Sequence, residues 1–125
     1  MNTDKEFVPY QQALALKELG FDEPCFKKYI AGCLWSNPTT PETYQKIHPN
    51  SSDCSAPLYQ QAFRWFREKY NLLGIVGYCD DNSGKFMSVI DKINSDIDYD
   101  MKGKDTYEEA ELACLIKLIE IVKSK

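Results

Sequence analysis

Leu72-Leu73-Gly74-Ile75-Val76-Gly77-Tyr78-Cys79 is the longest apolar run in the chain. It is too short for a membrane-spanning helix, which needs about twenty apolar residues, and its β-branched character suits a strand. The next five residues, Asp80-Asp81-Asn82-Ser83-Gly84, are dense in turn formers. Lys85–Ile93 then returns as a second strand and Asn94-Ser95 turns again. Asp96-Ile97-Asp98-Tyr99-Asp100-Met101 alternates polar and apolar, as a strand with one wet face does. Three consecutive strands joined by short turns predict an antiparallel sheet.

Helices flank this block. Upstream, Ser55–Tyr70 places Leu58, Ala62, Trp65 and Phe66 on one helical stripe, with Ser55 as the expected N-cap and Pro57 in the first turn. Arg64, Arg67 and Lys69 fall at other positions and should be solvated. Downstream, Thr106-Tyr107-Glu108-Glu109 is a capping box opening a helix to about Lys123. Ala110, Ala113, Cys114, Leu118 and Ile121 form its apolar face, widened by Leu112, Leu115, Ile116 and Ile119. Near the N-terminus, Pro9 to Leu19 reads as a helix closed by Gly20, with Phe21 packing back on it. Cys25 to Leu34 reads as one strand. Residues 35–56 contain Pro38, Pro41 and Pro49 and read as a long loop, with a short helix opening at Thr40-Pro41-Glu42. The expected architecture is a single α+β domain over residues 1–125, a three- to four-stranded antiparallel sheet with about three helices packed on one face.

The chain carries five cysteines (Cys25, Cys33, Cys54, Cys79 and Cys114), an odd number without a CxxC pair. That pattern fits reduced thiols better than a secreted disulfide framework. Residues 1–6 have neither a basic start nor an apolar stretch, so no secretory signal is expected and a cytoplasmic setting is. Net charge is −4, concentrated in residues 80–111, where ten acids meet four lysines. This block disfavours direct nucleic-acid binding and favours a basic protein surface as partner.

Chemistry-bearing constellations are sparse. Asp96, Asp98 and Asp100 on one strand face would form a carboxylate row spaced about 7 Å. Three readings stay open: a solvated outer face, an acidic strip that meets Arg and Lys of a partner, or a calcium site. The last lacks the EF-hand Gly and Glu, since Met101 and Tyr107 occupy those places. Trp35 and Tyr44, in the loop region, are candidate interface anchors. Cys25, Cys33, Cys54 and His48 match no tight zinc-ligand spacing, and His48, next to Pro49, has no evident orienting group for thiol catalysis. No GxSxG, HExxH or Gly-Lys-Ser/Thr motif occurs. No enzyme activity, cofactor or metal is therefore expected. The α-β-β-β-α order of residues 57–123 matches double-stranded RNA-binding domains in length. Glu108, Glu109 and Glu111, however, stand where such domains present cations.

Three stretches carry a resemblance: Val8 to Phe26 (VPYQQALALKELGFDEPCF), Ala56 to Tyr70 (APLYQQAFRWFREKY) and Thr106 to Leu115 (TYEEAELACL). They resemble small uncharacterised proteins of phages and prophages of Bacteroidetes-type bacteria. The resemblance implies a non-enzymatic accessory protein that binds a host protein, with a nucleic-acid-processing defence complex such as a CRISPR effector or another defence nuclease as the target class. A small nucleic-acid-binding regulator using Arg64, Arg67, Lys69 and the loop at 35–56 is the alternative, and a thiol or zinc enzyme the second alternative.

Overall fold

The computed structural model describes residues 4–36, 53–80, 83–96 and 98–124. It is an α+β structure with three α-helices and two three-stranded antiparallel sheets. The chain divides into two compact units, Met1–Gln61 and Ala62–Lys125.

The first unit begins with a 3-10 turn at Asp4–Glu6 and continues into α1 (Tyr10–Glu18). Pro9 occupies the N-cap at φ −61°, a place where its missing N–H costs nothing. The helix ends in a Schellman motif. The Gly20 amide donates to the Lys17 carbonyl (3.0 Å) and the Phe21 amide to the Leu16 carbonyl (3.0 Å). Gly20 takes the left-handed conformation this requires, at φ 101°. Phe21 is buried, and Leu16 and Ala13 bury the inner face of α1.

The expected single strand over Cys25–Leu34 is instead a hairpin of β1 (Lys27–Ile30) and β2 (Cys33–Ser36). Ala31 and Gly32 form its two-residue turn, both at positive φ (52° and 78°), as a type I′ turn demands. The Asp53 carboxylate accepts the Ala31 amide at 3.1 Å and holds the turn from 22 residues away. A short strand, β3 (Cys54–Ala56), pairs on the other side of β1, giving the order β2-β1-β3. Ser55 therefore lies in a strand and does not cap the second helix. That helix, α2 (Tyr59–Tyr70), starts later. The Gln61 side chain accepts the Leu58 amide at 3.0 Å, the reciprocal half of a capping box. Tyr29 anchors the unit: its hydroxyl donates to the Val8 carbonyl at 2.8 Å and its ring meets Tyr10 edge-on. Val8, Leu16, Cys25, Cys54 and Ala56 are fully enclosed.

In the second unit the sheet order is β4-β5-β6, with β4 at Leu72–Tyr78, β5 at Phe86–Lys92 and β6 at Asp98–Lys104. Asn71, at φ 58°, turns the chain directly from α2 into β4. The third strand runs later than the alternation from Asp96 to Met101 suggests. It also contains a bulge: Lys102 and Gly103 together face Met87, between the pairs Phe86↔Lys104 and Ser88↔Met101. Gly103 supplies the positive φ (78°) for this irregularity.

The last helix, α3 (Tyr107–Lys123), is capped as its sequence implies, with the Thr106 hydroxyl accepting the Glu109 amide at 3.1 Å. It lies across all three strands. Ala110, Cys114, Leu115, Leu118 and Ile119 are buried on its inner side, and Leu72, Ser88 and Ile90 are buried on the strands it crosses. A fully buried Leu or Ile contributes roughly 1.5–3 kcal/mol, so this layer dominates the stability of the unit. Phe63 of α2 reaches the same face: it lies, with Cys114 and Leu118, around the point where a Cβ on Gly74 would stand.

Candidate functional site

Side chains alternate across a strand, so the face of the β4-β5-β6 sheet opposite α3 follows from the register. Gly74, Ser88 and Ile90 point to α3. The other face therefore presents Leu73, Ile75 and Gly77 from β4, Met87, Val89 and Asp91 from β5, and Asp98 and Asp100 from β6. None of these eight residues is buried. Two rows cross the strands: Leu73, Asp91, Asp98, and Ile75, Val89, Asp100. Both rows begin apolar at β4 and end acidic at β6.

The backbone makes the acidic end tight. The Ile93 amide donates to the Asn71 carbonyl (2.8 Å) and the Cys79 amide to the Lys85 carbonyl (2.9 Å). Hydrogen-bonded pairs alternate in an antiparallel ladder, so Leu73, Ile75 and Gly77 exchange their bonds with Asp91, Val89 and Met87. Asp91 thus uses its backbone groups toward β4 and meets Asp98 in the closer, non-hydrogen-bonded kind of pair, with Cα atoms about 4.5 Å apart. Among the described residues, Asp91, Asp98 and Asp100 have no ion-pair partner.

Of the aspartates singled out from sequence, Asp98 and Asp100 stand together on β6. Asp96 is exposed in the turn before it. Asp91 completes the group and was not anticipated; the clue lay in its even spacing from Val89 and Met87 on the second strand. Trp35 lies on β2 and is 56% exposed, directly across from Lys28. With Phe26, Ile30 and Cys33, all exposed, it gives the hairpin an apolar outer side. Tyr44, His48 and the helix expected from Thr40 lie outside the described residues.

An aromatic cluster was also not anticipated. Tyr78 and Phe86 are cross-strand partners with ring centroids 5.5 Å apart, and Phe86 meets Tyr107 edge-on at 6.1 Å. Beside it, Lys85 and Asp105 form an exposed ion pair. The bond raises the Lys85 pKa and lowers that of Asp105.

The basic residues of α2 are partly engaged. Arg64 lies 3.9 Å from Glu68, and Lys69 sits over the rings of Trp65 (5.0 Å) and Tyr70 (5.8 Å).

The thiols are spread between interior and surface. Burial, then the nearby Glu23 carboxylate, pushes Cys25 up to about 12. Burial pushes Cys54 up to about 11, against the pull of Lys17, and Cys114 up to about 12. Thiols held protonated at neutral pH are poor nucleophiles and poor metal ligands. Cys33 is exposed on the hairpin. Among the described residues, no three His, Cys, Asp or Glu side chains converge as a metal site would require, and no helix is long and apolar enough to cross a membrane.

Compared with known protein families, with characterised proteins and with solved structures, the chain matches none of them.

Proposed function

We propose that this chain acts by binding another protein, without catalysis, through the acidic side of its β4-β5-β6 sheet. The observation that carries this reading is the group Asp91, Asp98 and Asp100: three carboxylates on the sheet face opposite α3, none of them buried and none with a cationic partner among the described residues, two of them directly opposed. Like charges placed opposite each other destabilise a sheet. A partner's Arg or Lys inserted between them turns that repulsion into two charge-assisted hydrogen bonds. The apolar side chains alongside, Ile75 and Val89, supply contact area that such a partner would desolvate. Separately, on the first unit, the exposed Trp35 is an anchor of the type enriched at binding hot spots.

The setting comes from the resemblance of the three sequence stretches to phage and prophage proteins. In that setting the partner class is a host defence complex that processes nucleic acid, a CRISPR effector or another defence nuclease. Its positively charged nucleic-acid channel is the surface that a carboxylate row would occupy. The raised thiol pKa values and the engagement of Arg64 and Lys69 weigh against the thiol-enzyme and nucleic-acid-binding alternatives.

The experiment is a titration of purified protein against guide-loaded CRISPR effectors, reading target-DNA cleavage. The expected result is loss of cleavage near one-to-one stoichiometry for one effector, abolished by the double substitution Asp98→Lys and Asp100→Lys. Full cleavage at large excess of the wild-type chain across the panel removes the CRISPR reading. Inhibition that survives the double charge reversal removes the carboxylate row from it.

A further inference from the structure

The β4-β5-β6 sheet carries a helix on one face only. α3 lies across its three strands there, and the eight residues derived above for the opposite face are not buried. Ile75 on that face is 48% exposed. Ile93 continues the alternation of β5, donates its amide to Asn71 at the next rung, and is 40% exposed. With Leu73, Met87 and Val89 they make a patch, and contiguous apolar patches mark interaction sites where scattered single residues do not.

Neither margin of the sheet suits an added strand. β6 is bent by its bulge and carries four charged side chains, which oppose strand addition. At the β4 margin Leu72 is 1% exposed, so that margin is not open along its length. A partner therefore meets the side chains of the face, not the backbone of an edge.

The dimensions of the face choose the partner's secondary structure. Two interstrand spacings, about 10 Å, separate β4 from β6. A helix with its side chains is about 10–12 Å across, and the single helix α3 already spans the same strands on the other side. Seven-residue strands run roughly 23 Å, the length of about 15 helical residues.

We infer that this face takes one basic amphipathic α-helix of a partner protein, laid along the strands, with its apolar stripe on Leu73, Ile75 and Val89 and its cationic flank on Asp91, Asp98 and Asp100. The inference rests on the binding role proposed above and specifies the element that fills the face. Charge sets the orientation, because both cross-strand rows run from apolar at β4 to acidic at β6. Lys102, in the bulge beyond Asp100, bounds the acidic end.

Spacing agrees. Asp98 and Asp100 stand about 7 Å apart along β6, and helical residues i and i+4 are about 6 Å apart. Two Arg or Lys one turn apart thus reach both carboxylates. Leu73 and Ile75 repeat at the same interval and take two apolar side chains of the adjoining stripe, the pattern of helix recognition by i, i+3, i+4 and i+7 anchors. An extended strand laid on the face also repeats about every 7 Å. It presents one line of side chains, however, and reaches either the apolar side or the acidic one. A helix presents both across its width.

Three synthetic 16-residue peptides titrated into the 15N-labelled full chain test this by NMR. The first places Leu along one helical stripe and Arg on its flank, in an Ala background. The second has the same composition with Leu and Arg in strict alternation. The third is the first with Glu in place of Arg. The helical Arg peptide should shift the amides of Ile75, Val89, Asp91, Asp98 and Asp100, show the sequential amide–amide contacts of a bound helix, and bind at least tenfold more tightly than the other two. Ile75→Ser, and separately Asp98→Lys with Asp100→Lys, should each weaken it at least tenfold while circular dichroism stays wild type. The double charge reversal should also acquire binding of the Glu peptide.

Equal affinity for the alternating peptide overturns the inference, as do shifts that map away from this face or an affinity untouched by either variant. Concentration-dependent shifts of the same amides without peptide assign the face to a second copy of the chain and overturn it as well. If the helical peptide fails while the double charge reversal still abolishes inhibition of an effector, the helix is wrong and the binding role of the face stands. If the peptide binds as expected and no effector is inhibited, the helix is supported and the defence target falls.

Discussion

Asp98 stands directly across the β5–β6 ladder from Asp91, in the closer of the two kinds of antiparallel pair. A fold selected for stability alone would place opposite or neutral side chains there, since opposed like charges are unfavourable by roughly 0.2–1 kcal/mol. Asp98→Asn should raise the melting temperature of the isolated protein at low ionic strength and at the same time weaken its hold on a basic partner. In about 1 M salt, where screening acts within roughly 3 Å, the gain in melting temperature should shrink. Thermal melts at two salt concentrations, paired with the inhibition titration, check both halves. A variant that melts higher and binds as before would mark the pair as a purely solvated feature.

Gly74 is required by what lies above it. A Cβ at this position would stand 3.0 Å from the Cys114 Sγ and 3.4 Å from the Leu118 Cδ1. Gly74→Ala should therefore destabilise the second unit by about 1–3 kcal/mol, the usual range for an overfilled core. Combining it with Cys114→Ala should recover part of the loss. Chemical denaturation of the two single variants and the double variant gives the coupling energy, which should be favourable and on the order of 1 kcal/mol.

The buried thiols make stability fall in alkali. Cys25, Cys54 and Cys114 keep their protons to about pH 12, 11 and 12, against an ordinary value of 9.0. Above pH 9.0 the unfolded chain loses these protons first, so stability is full below that pH and declines as pH rises toward the folded-state values. Melting temperatures measured from about pH 8 to pH 10 should drop, and the drop should be shallower in Cys114→Ala. Iodoacetamide applied to the native protein at about pH 8 should modify Cys33 well before Cys25, Cys54 or Cys114.

Two local devices can be strengthened or broken by single changes. Ala31 holds a left-handed conformation that disfavours a Cβ and tolerates Asn. Ala31→Asn should stabilise the hairpin by about 0.5–1 kcal/mol, whereas Asp53→Ala, which removes the acceptor of the Ala31 amide, should loosen it. Thr106→Ala should cost about 1 kcal/mol through loss of the α3 cap. Urea midpoints measure all three.

What could be read from the sequence was local. The Thr106–Glu109 cap, the Pro9 and Gly20 ends of α1, and the strands on either side of Asp80–Gly84 each carry their cause within a few residues. The hairpin at Ala31-Gly32 was missed because it lacks an Asn-Gly or Asp-Gly signature and depends on Asp53, which only the fold brings near. Ser55 looked like a cap because its residue type is right for one, yet β3 pairing claims its backbone and Gln61 does the capping. The same limit applies to the candidate site. The alternation around Asp98 and Asp100 was visible, but Asp91 joins them only through the strand register, and register is a long-range property. Trp35 was recognisable as an aromatic beside a loop. Its exposure follows from its place on an edge strand.

By kinking β6 opposite Met87, Gly103 turns that edge strand away from any chain laid beside it, and Asp98, Asp100, Lys102 and Lys104 line the same edge with charge. Bulges and charges of this kind are how a soluble sheet resists edge-to-edge aggregation. Replacing Gly103 by a residue that straightens the strand, with all four charged side chains neutralised, should make the chain precipitate at concentrations where the wild type stays clear.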